Sequence, residues 1–188
     1  MRVLNHDIEE KGNEMKKALT FIALSAIMAF CLASCGGSSL PNSVTKGNLT
    51  ISYPDGWNVK EETGGAILGL SAGDSCFVNP AESNDTMLMV SDVSAAGSTL
   101  EKMESTLTEQ GIDFERTKVS GKDALRIDTV VGTVKNGSST SDSPGKAVGV
   151  CATDGDKVTS VAMLVLPEDK YNADKTTYDA IIDSASMK

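Results

Sequence analysis

The chain is 188 residues long, 40% hydrophobic, 23% charged and only 4% aromatic. That length suits one domain with a leader rather than two full domains, and the apolar fraction is too high for a disordered chain. With 17 basic against 26 acidic side chains the formal charge is −9. This excludes nucleic acid as a partner, because no cationic surface is there to displace counterions from phosphates.

The first element is a leader, residues 1–34. From Met15 the sequence reads MKKALTFIALSAIMAFCLASC. Lys16 and Lys17 form a positive n-region, and Ala18 to Leu32 form an apolar run. As a helix that run would span roughly 22 Å, short of the ~30 Å hydrocarbon core, so it reads as a signal-peptide h-region over residues 15–34. Residues 1–14 carry Asp7, Glu9, Glu10 and Glu14 ahead of the lysines, which no n-region wants. Glu9-Glu10-Lys11-Gly12-Asn13 must be encoded by an almost purely purine stretch, as a ribosome-binding site would be. Translation is therefore expected to start at Met15, with residues 1–14 a misassigned start.

Leu32-Ala33-Ser34-Cys35, followed by Gly36-Gly37, resembles the bacterial lipobox. The resemblance implies cleavage before Cys35 and lipidation of Cys35 itself. It places the protein on the extracytoplasmic face of a bacterial cell membrane, held by covalent lipid. Removing residues 1–34 takes away four basic and four acidic side chains together with His6, the one histidine, so the charge stays at −9.

Residues 35–47 are glycine- and serine-rich and read as a flexible tether, with the globular domain over 48–188. Leu49, Ile51 and Tyr53 alternate with polar residues as a strand, Pro54-Asp55-Gly56 stops it, and Trp57 and Val59 resume it in a first hairpin. Ala66, Leu68 and Leu70 alternate in the next strand, and Ser75–Val78 gives another, ended at Asn79-Pro80. Met87–Val90 is apolar on both faces, which predicts a central strand. Ser98-Thr99-Leu100-Glu101 carries a capping-box signature, Leu100, Met103 and Leu107 follow at helical spacing, and Gly111 fits the far end.

Phe114–Val119 and Ala124–Val134 predict two strands with a bend near Gly132, and residues 136–145 a low-complexity loop. Lys146–Ala152 and Lys157–Leu166 predict a hairpin turning at Thr153-Asp154-Gly155-Asp156. Tyr178, Ile181, Ile182 and Ala185 then predict a C-terminal amphipathic helix. Sequential hairpins imply an antiparallel sheet, and two-sided apolar strands imply helices on both faces. The fold class expected is α+β: a three-layer α/β/α sandwich with a mostly antiparallel sheet flanked by helices.

Cys76 and Cys151 remain after processing, an even pair in an extracytoplasmic compartment. A disulfide between them would close a loop of roughly 75 residues, contributing about 4 kcal/mol in the chain-entropy model. The alternative is two buried thiols acting as small hydrophobes. With no histidine after processing, a Ser-His-Asp triad, a Cys-His pair and histidine-based metal sites are excluded. Ser91, Ser94, Ser98 and Ser120 read as turn or cap residues. Asp154-Gly155-Asp156 reads as a type I′ turn rather than a calcium loop. Trp57 is the aromatic to watch: a residue fixing the first hairpin, with a ligand-surface platform as the alternative.

Tyr53-Pro54-Asp55-Gly56-Trp57, Val78-Asn79-Pro80, Gly121-Lys122-Asp123-Ala124, Leu166-Pro167 and Ile182-Asp183-Ser184 resemble the PsbP-like superfamily. The resemblance covers roughly residues 48–187 and implies an antiparallel sheet flanked by helices. It implies no particular activity, because a fold does not fix a function. The function expected is a lipid-anchored accessory or binding module without enzymatic activity or cofactor, working with an envelope protein partner. The alternative is a small cell-surface hydrolase using a serine with lysine or carboxylate partners.

Overall fold

The computed structural model describes residues 39–136 and 139–188, the side chains of 133–143 excepted. The leader, Cys35 and the lipobox lie outside the described residues.

In chain order the strands are β1 (Asn42–Lys46), β2 (Leu49–Tyr53), β3 (Trp57–Thr63), β4 (Ala66–Ile67), β5 (Leu70–Ser71), β6 (Asp74–Pro80) and β7 (Met87–Asp92). A 3-10 turn (Ser94–Ala96) and helix α1 (Leu100–Glu109) follow. Then come β8 (Phe114–Val119), β9 (Lys122–Asn136), β10 (Ser139–Asp154), β11 (Lys157–Pro167), α2 (Glu168–Ala173), α3 (Lys175–Asp183) and β12 (Ser186–Met187). The main sheet has the order β3-β6-β7-β11-β10-β9-β8 and a small one β1-β2-β12. Every strand pairing among the described residues is antiparallel.

Strand alternation divides the main sheet into two apolar faces. Cys76, Val78, Leu88, Val90, Val148, Val150 and Leu164 point to one side, where Leu49 and Ile51 of β2, Tyr171 of α2 and Ile181 and Ile182 of α3 cover them. Leu125, Ile127, Cys151, Val161 and Met163 point to the other, under Leu100, Met103 and Leu107 of α1 and Ile67 of β4. β7 and β11 lie inside the sheet, as their two-sided apolar sequences require.

The expected three-layer α/β/α sandwich is corrected by this arrangement: the fold is mostly β. Apolar strands do need cover on both faces, but helices supply only part of it. On the first face the small sheet shares the work with α2 and α3, and on the second α1 is joined by the β4–β5 hairpin. The tether is shorter than expected, because Asn42–Lys46 is β1, paired with β2 from Asn42↔Tyr53 to Lys46↔Leu49. Pro54-Asp55-Gly56 does not join a hairpin either. It carries the chain from the small sheet to the edge of the main one, so β2 and β3 are never partners.

Two loops also differ from expectation. Leu68 and Gly69 both take left-handed backbone (φ 51° and 77°), folding the expected third strand into the β4–β5 hairpin. Most of 136–145 is strand rather than loop: β10 starts at Ser139, pairing Ser139↔Asn136 and Thr140↔Lys135. The bend near Gly132 is a bulge, since Val131 pairs with Gly145 and Thr133 with the adjacent Pro144.

Helix α1 is capped by Thr99, whose Oγ1 accepts the Lys102 N–H at 3.3 Å, and not by Ser98. Glu101 therefore sits at the second helical position, and the expected capping box does not form. At the far end the Ile112 N–H donates to the Leu107 carbonyl (2.9 Å) and the Gly111 N–H to that of Thr108 (3.1 Å). With Gly111 at φ 67° this is a Schellman motif. No helix among the described residues is long and apolar enough to cross a membrane.

Candidate functional site

The polar positions that interrupt the first face of the main sheet converge on α2 and α3. Arg126 and Asp128 alternate with the buried Leu125 and Ile127 on β9, so both stand on the face that α3 covers. Arg126 donates to Asp183 and, at 3.4 Å, to Asp179, both on α3. The Tyr171 hydroxyl donates to Asp179 at 2.7 Å, and the Lys175 ammonium donates to Asp179 and, at 2.9 Å, to the Tyr171 oxygen. Lys146 of β10 pairs with Asp128 and lies over the Tyr171 ring, 5.5 Å from its centroid. Lys175 lies 5.0 Å from the same centroid. Tyr178 stacks against Tyr171 at 6.3 Å.

Burial alone would raise the Asp179 carboxyl, but the Lys175 ammonium and the Tyr171 hydroxyl hold it below the usual range. Lys175 is raised by its hydrogen bonds to Asp179 and Tyr171. Burial pushes the Tyr171 phenol up. That phenol is a hydrogen-bond donor here and not an activated base.

Beside this network a cavity of about 280 Å³ opens between β8 and the end of α3. Its floor is Val119, Val150, Ile182 and Ala185, and its rim is Thr117, Lys118, Arg126 and Asp183. A second hollow of about 240 Å³, lined by Asp113, Phe114, Glu115, Arg126 and Asp128, lies on the other side of Arg126. An apolar floor with a few polar groups at the rim is how small-ligand sites are built. A ligand carrying both signs of charge could exchange partners with the Arg126–Asp183 pair.

A second convergence lies between the β6–β7 loop and α2. Asp85, only 6% exposed, accepts from the Lys170 ammonium at 2.8 Å, from the Ser83 hydroxyl and from the Thr86 hydroxyl at 3.3 Å. Lys170 Nζ also lies 3.4 Å from Ser83 Oγ. Burial would raise Asp85, but Lys170 and Ser83 outweigh it and hold the carboxyl low.

The residues singled out from sequence fall elsewhere. Of the two alternatives for Cys76 and Cys151, the structure has the buried thiols and not the disulfide: both are free, and they point to opposite faces of the main sheet. Two side chains on opposite faces cannot bring their sulfurs to about 2 Å. Burial pushes Cys76 up to about 11 and Cys151 to about 12, so neither is a nucleophile near neutral pH. Trp57 opens β3 opposite Pro80, half-buried against the first core, with Val59 exposed two residues on.

Ser91 is a buried strand residue, its hydroxyl 2.9 Å from that of Ser75, and not a turn residue. The β10–β11 turn is not type I′, because left-handed backbone falls on Gly155 alone and not on Asp156. Asp154 there pairs with Lys122 at 3.0 Å. Among the described residues no three His, Cys, Asp or Glu side chains group closely enough to hold a metal ion.

Sequence reading missed both polar clusters. The signal for Arg126 and Asp128 was present: two charges at alternate positions of a strand, interleaved with the apolar Leu125 and Ile127. Ser83, Asp85 and Lys170 left no such trace, because 85 residues separate Asp85 from its cation.

No protein-family model matches the chain, and no curated protein matches it. Among solved structures it is similar to the solution structure of cyanobacterial PsbP (CyanoP) from Synechocystis sp. PCC 6803, with a TM-score of 0.48 and 18% identity over 84% of this chain and 99% of that one. It is also similar to a crystal structure from Bacteroides thetaiotaomicron VPI-5482, with a TM-score of 0.52 and 10% identity. That match covers 80% of this chain and 49% of the other, so the chain spans about half of that protein's length. What the chain shares with the Bacteroides protein is a fold.

Proposed function

We propose that the protein is a lipid-anchored accessory or binding module on the extracytoplasmic face of a bacterial membrane, with a PsbP-like domain and no catalytic role. The observation that carries the anchor is Leu32-Ala33-Ser34-Cys35 at the end of a fifteen-residue apolar run (Ala18–Leu32). The PsbP-like reading rests on the motifs. Tyr53 to Trp57 carries the chain between the two sheets, and Gly121-Lys122-Asp123-Ala124 runs from the β8–β9 turn into the start of β9. A binding role is supported by the cavity beside Arg126, with its apolar floor and mixed-charge rim. Metabolic labelling with a palmitate analogue tests the anchor. The wild-type protein is expected to take up label, lose residues 1–34 and sediment with membranes, while Cys35→Ala does none of these. An unlabelled wild-type protein that keeps its leader would overturn the anchor. Cross-linking in the native membrane then tests for the envelope partner.

One observation favours the second reading, a small hydrolase: Ser83, Asp85 and Lys170 converge. It is the weaker reading because an ammonium already ion-paired with a carboxylate has no lone pair with which to deprotonate the serine. A fluorophosphonate probe that labelled Ser83, and lost the label in Ser83→Ala, would make the hydrolase the better account.

A further inference from the structure

Arg126 separates two hollows of similar size whose charges differ. The one lined by Asp113, Phe114, Glu115 and Asp128 sets three carboxylates against a single guanidinium. The other, of about 280 Å³, is balanced. Lys118 alternates with Thr117 and the inward-facing Val119 on β8, so its side chain points to the other face of the sheet, where it donates to Asp123 at 2.9 Å. That leaves one cation, Arg126, and one anion, Asp183, above the apolar floor of Val119, Val150, Ile182 and Ala185.

Asp183 is the replaceable half of this pair. Its side chain is 62% exposed against 22% for Arg126, so water competes for it and the pair is weak. Asp183 also ends α3, where the negative pole of the helix favours a cation over a carboxylate. Arg126 keeps Asp179, at 3.4 Å, when Asp183 is drawn away.

We infer that this cavity binds a free aliphatic α-amino acid of about leucine's size, a ligand class that rests on the binding role of the cavity and makes it specific. The α-carboxylate replaces Asp183 on the Arg126 guanidinium, whose planar fork suits it. The α-ammonium replaces Arg126 on Asp183, at the helix pole that favours a cation. Both protein charges keep a partner through this exchange. An acid alone would give Asp183 nothing in return, and an amine alone would give Arg126 nothing. Arg126 and Asp183 are in direct contact, so the two charges of the ligand must sit on one carbon. The ligand's side chain lies on the floor, where Val119, Val150 and Ile182 are buried core residues of β8, β10 and α3. The volume falls just below the roughly 300 Å³ at which pockets for drug-sized molecules begin, which suits a single amino acid.

The test is a methyl NMR titration of the full chain in a non-ionic detergent, labelled with carbon-13 at isoleucine, valine and alanine. L-Leucine is expected to shift the Val150, Ile182 and Ala185 signals saturably. Four controls should each bind at least about tenfold more weakly: isocaproate, which lacks the ammonium, leucine amide, which lacks the carboxylate, glycine, which lacks the tail, and ε-aminocaproate, an isomer with its charges apart. Asp183→Asn frees Arg126 and removes the ammonium's partner, so it should reverse the order and bind isocaproate about threefold more tightly than leucine. Ala185→Leu fills the floor and should lose leucine binding. If no probe gives a saturable shift, both the ligand class and the binding role of the cavity fall. If a control binds as tightly as leucine, or Asp183→Asn keeps the wild-type order, the cavity still binds and the amino-acid assignment alone is overturned. Should Ala185→Leu fail to fold, the exposed Asp183→Asn decides.

Discussion

Gly149 is where a single atom matters most. It lies on β10 opposite Met163, and a Cβ there would come within 2.5 Å of the Ala162 carbonyl oxygen and 2.9 Å of the Met163 sulfur. The carbonyl is backbone in the middle of the sheet and cannot move aside as a side-chain tip would. Gly149→Ala is therefore expected to destabilise the domain by about 2–3 kcal/mol through overpacking, read as a lowered denaturant midpoint with an unchanged slope.

Asp85 gives the clearest pH dependence. Its carboxyl is lower folded than unfolded, so its contribution is present above the unfolded value of about 3.9 and disappears as pH falls through the folded one. Asp85→Asn should cost about 1–2 kcal/mol at pH 7, because Lys170 keeps access to water when its partner is lost. The deficit should shrink progressively below pH 4. A gap between variant and wild-type melting temperatures that stayed constant down to pH 2 would count against the pairing. Neither residue could be found from sequence. Gly149 looks like any glycine in a strand until β11 lies against it, and the Asp85–Lys170 contact is purely tertiary.

At the scale of elements, α1 can be tested at its cap. Thr99→Ala should cost about 1 kcal/mol of global stability by leaving the Lys102 N–H without its acceptor. The helix was legible because three signals agreed: the 100/103/107 spacing, a capping residue before it and Gly111 after it. Their agreement fixed its existence but not which hydroxyl caps it, since Ser98 and Thr99 are chemically alike and only the backbone path separates them. The central strands β7 and β11 were legible for a similar reason, as an apolar run buried on both faces has few other places to go. The ribbon of β9 and β10 was not. Ser-Thr-Ser-Asp-Ser carries no hydrophobic alternation, so nothing local distinguishes a strand from a loop. β1 and β12 are short, and their pairing with β2 is decided by the docking of the small sheet rather than by their own residues.

For the whole molecule, sequence patterning identified an antiparallel sheet with covered faces but not what covers them. Apolar alternation states that a face is buried, and a helix or a second sheet can meet that need equally well. The choice here falls to residues 42–53 and 186–187, whose cross-sheet packing has no sequence period of its own. The same limit left the cysteines undecided: an even count allows a bond, while only strand parity shows that Cys76 and Cys151 are turned away from each other. Both peptides should accordingly be recovered as free thiols from protein purified without reductant, and a bridged peptide would contradict the sheet register.

That opposed placement makes the main sheet a partition with one native thiol sealed on each side. Each can react only when its own side opens, so the two alkylation rates, followed in parallel by peptide mapping, measure the opening free energies of two halves of one protein. Equal rates would mean that the layers come apart together as one cooperative unit. A faster Cys151 would mean that α1 and the β4–β5 hairpin lift away while the small sheet stays closed, and a faster Cys76 the reverse.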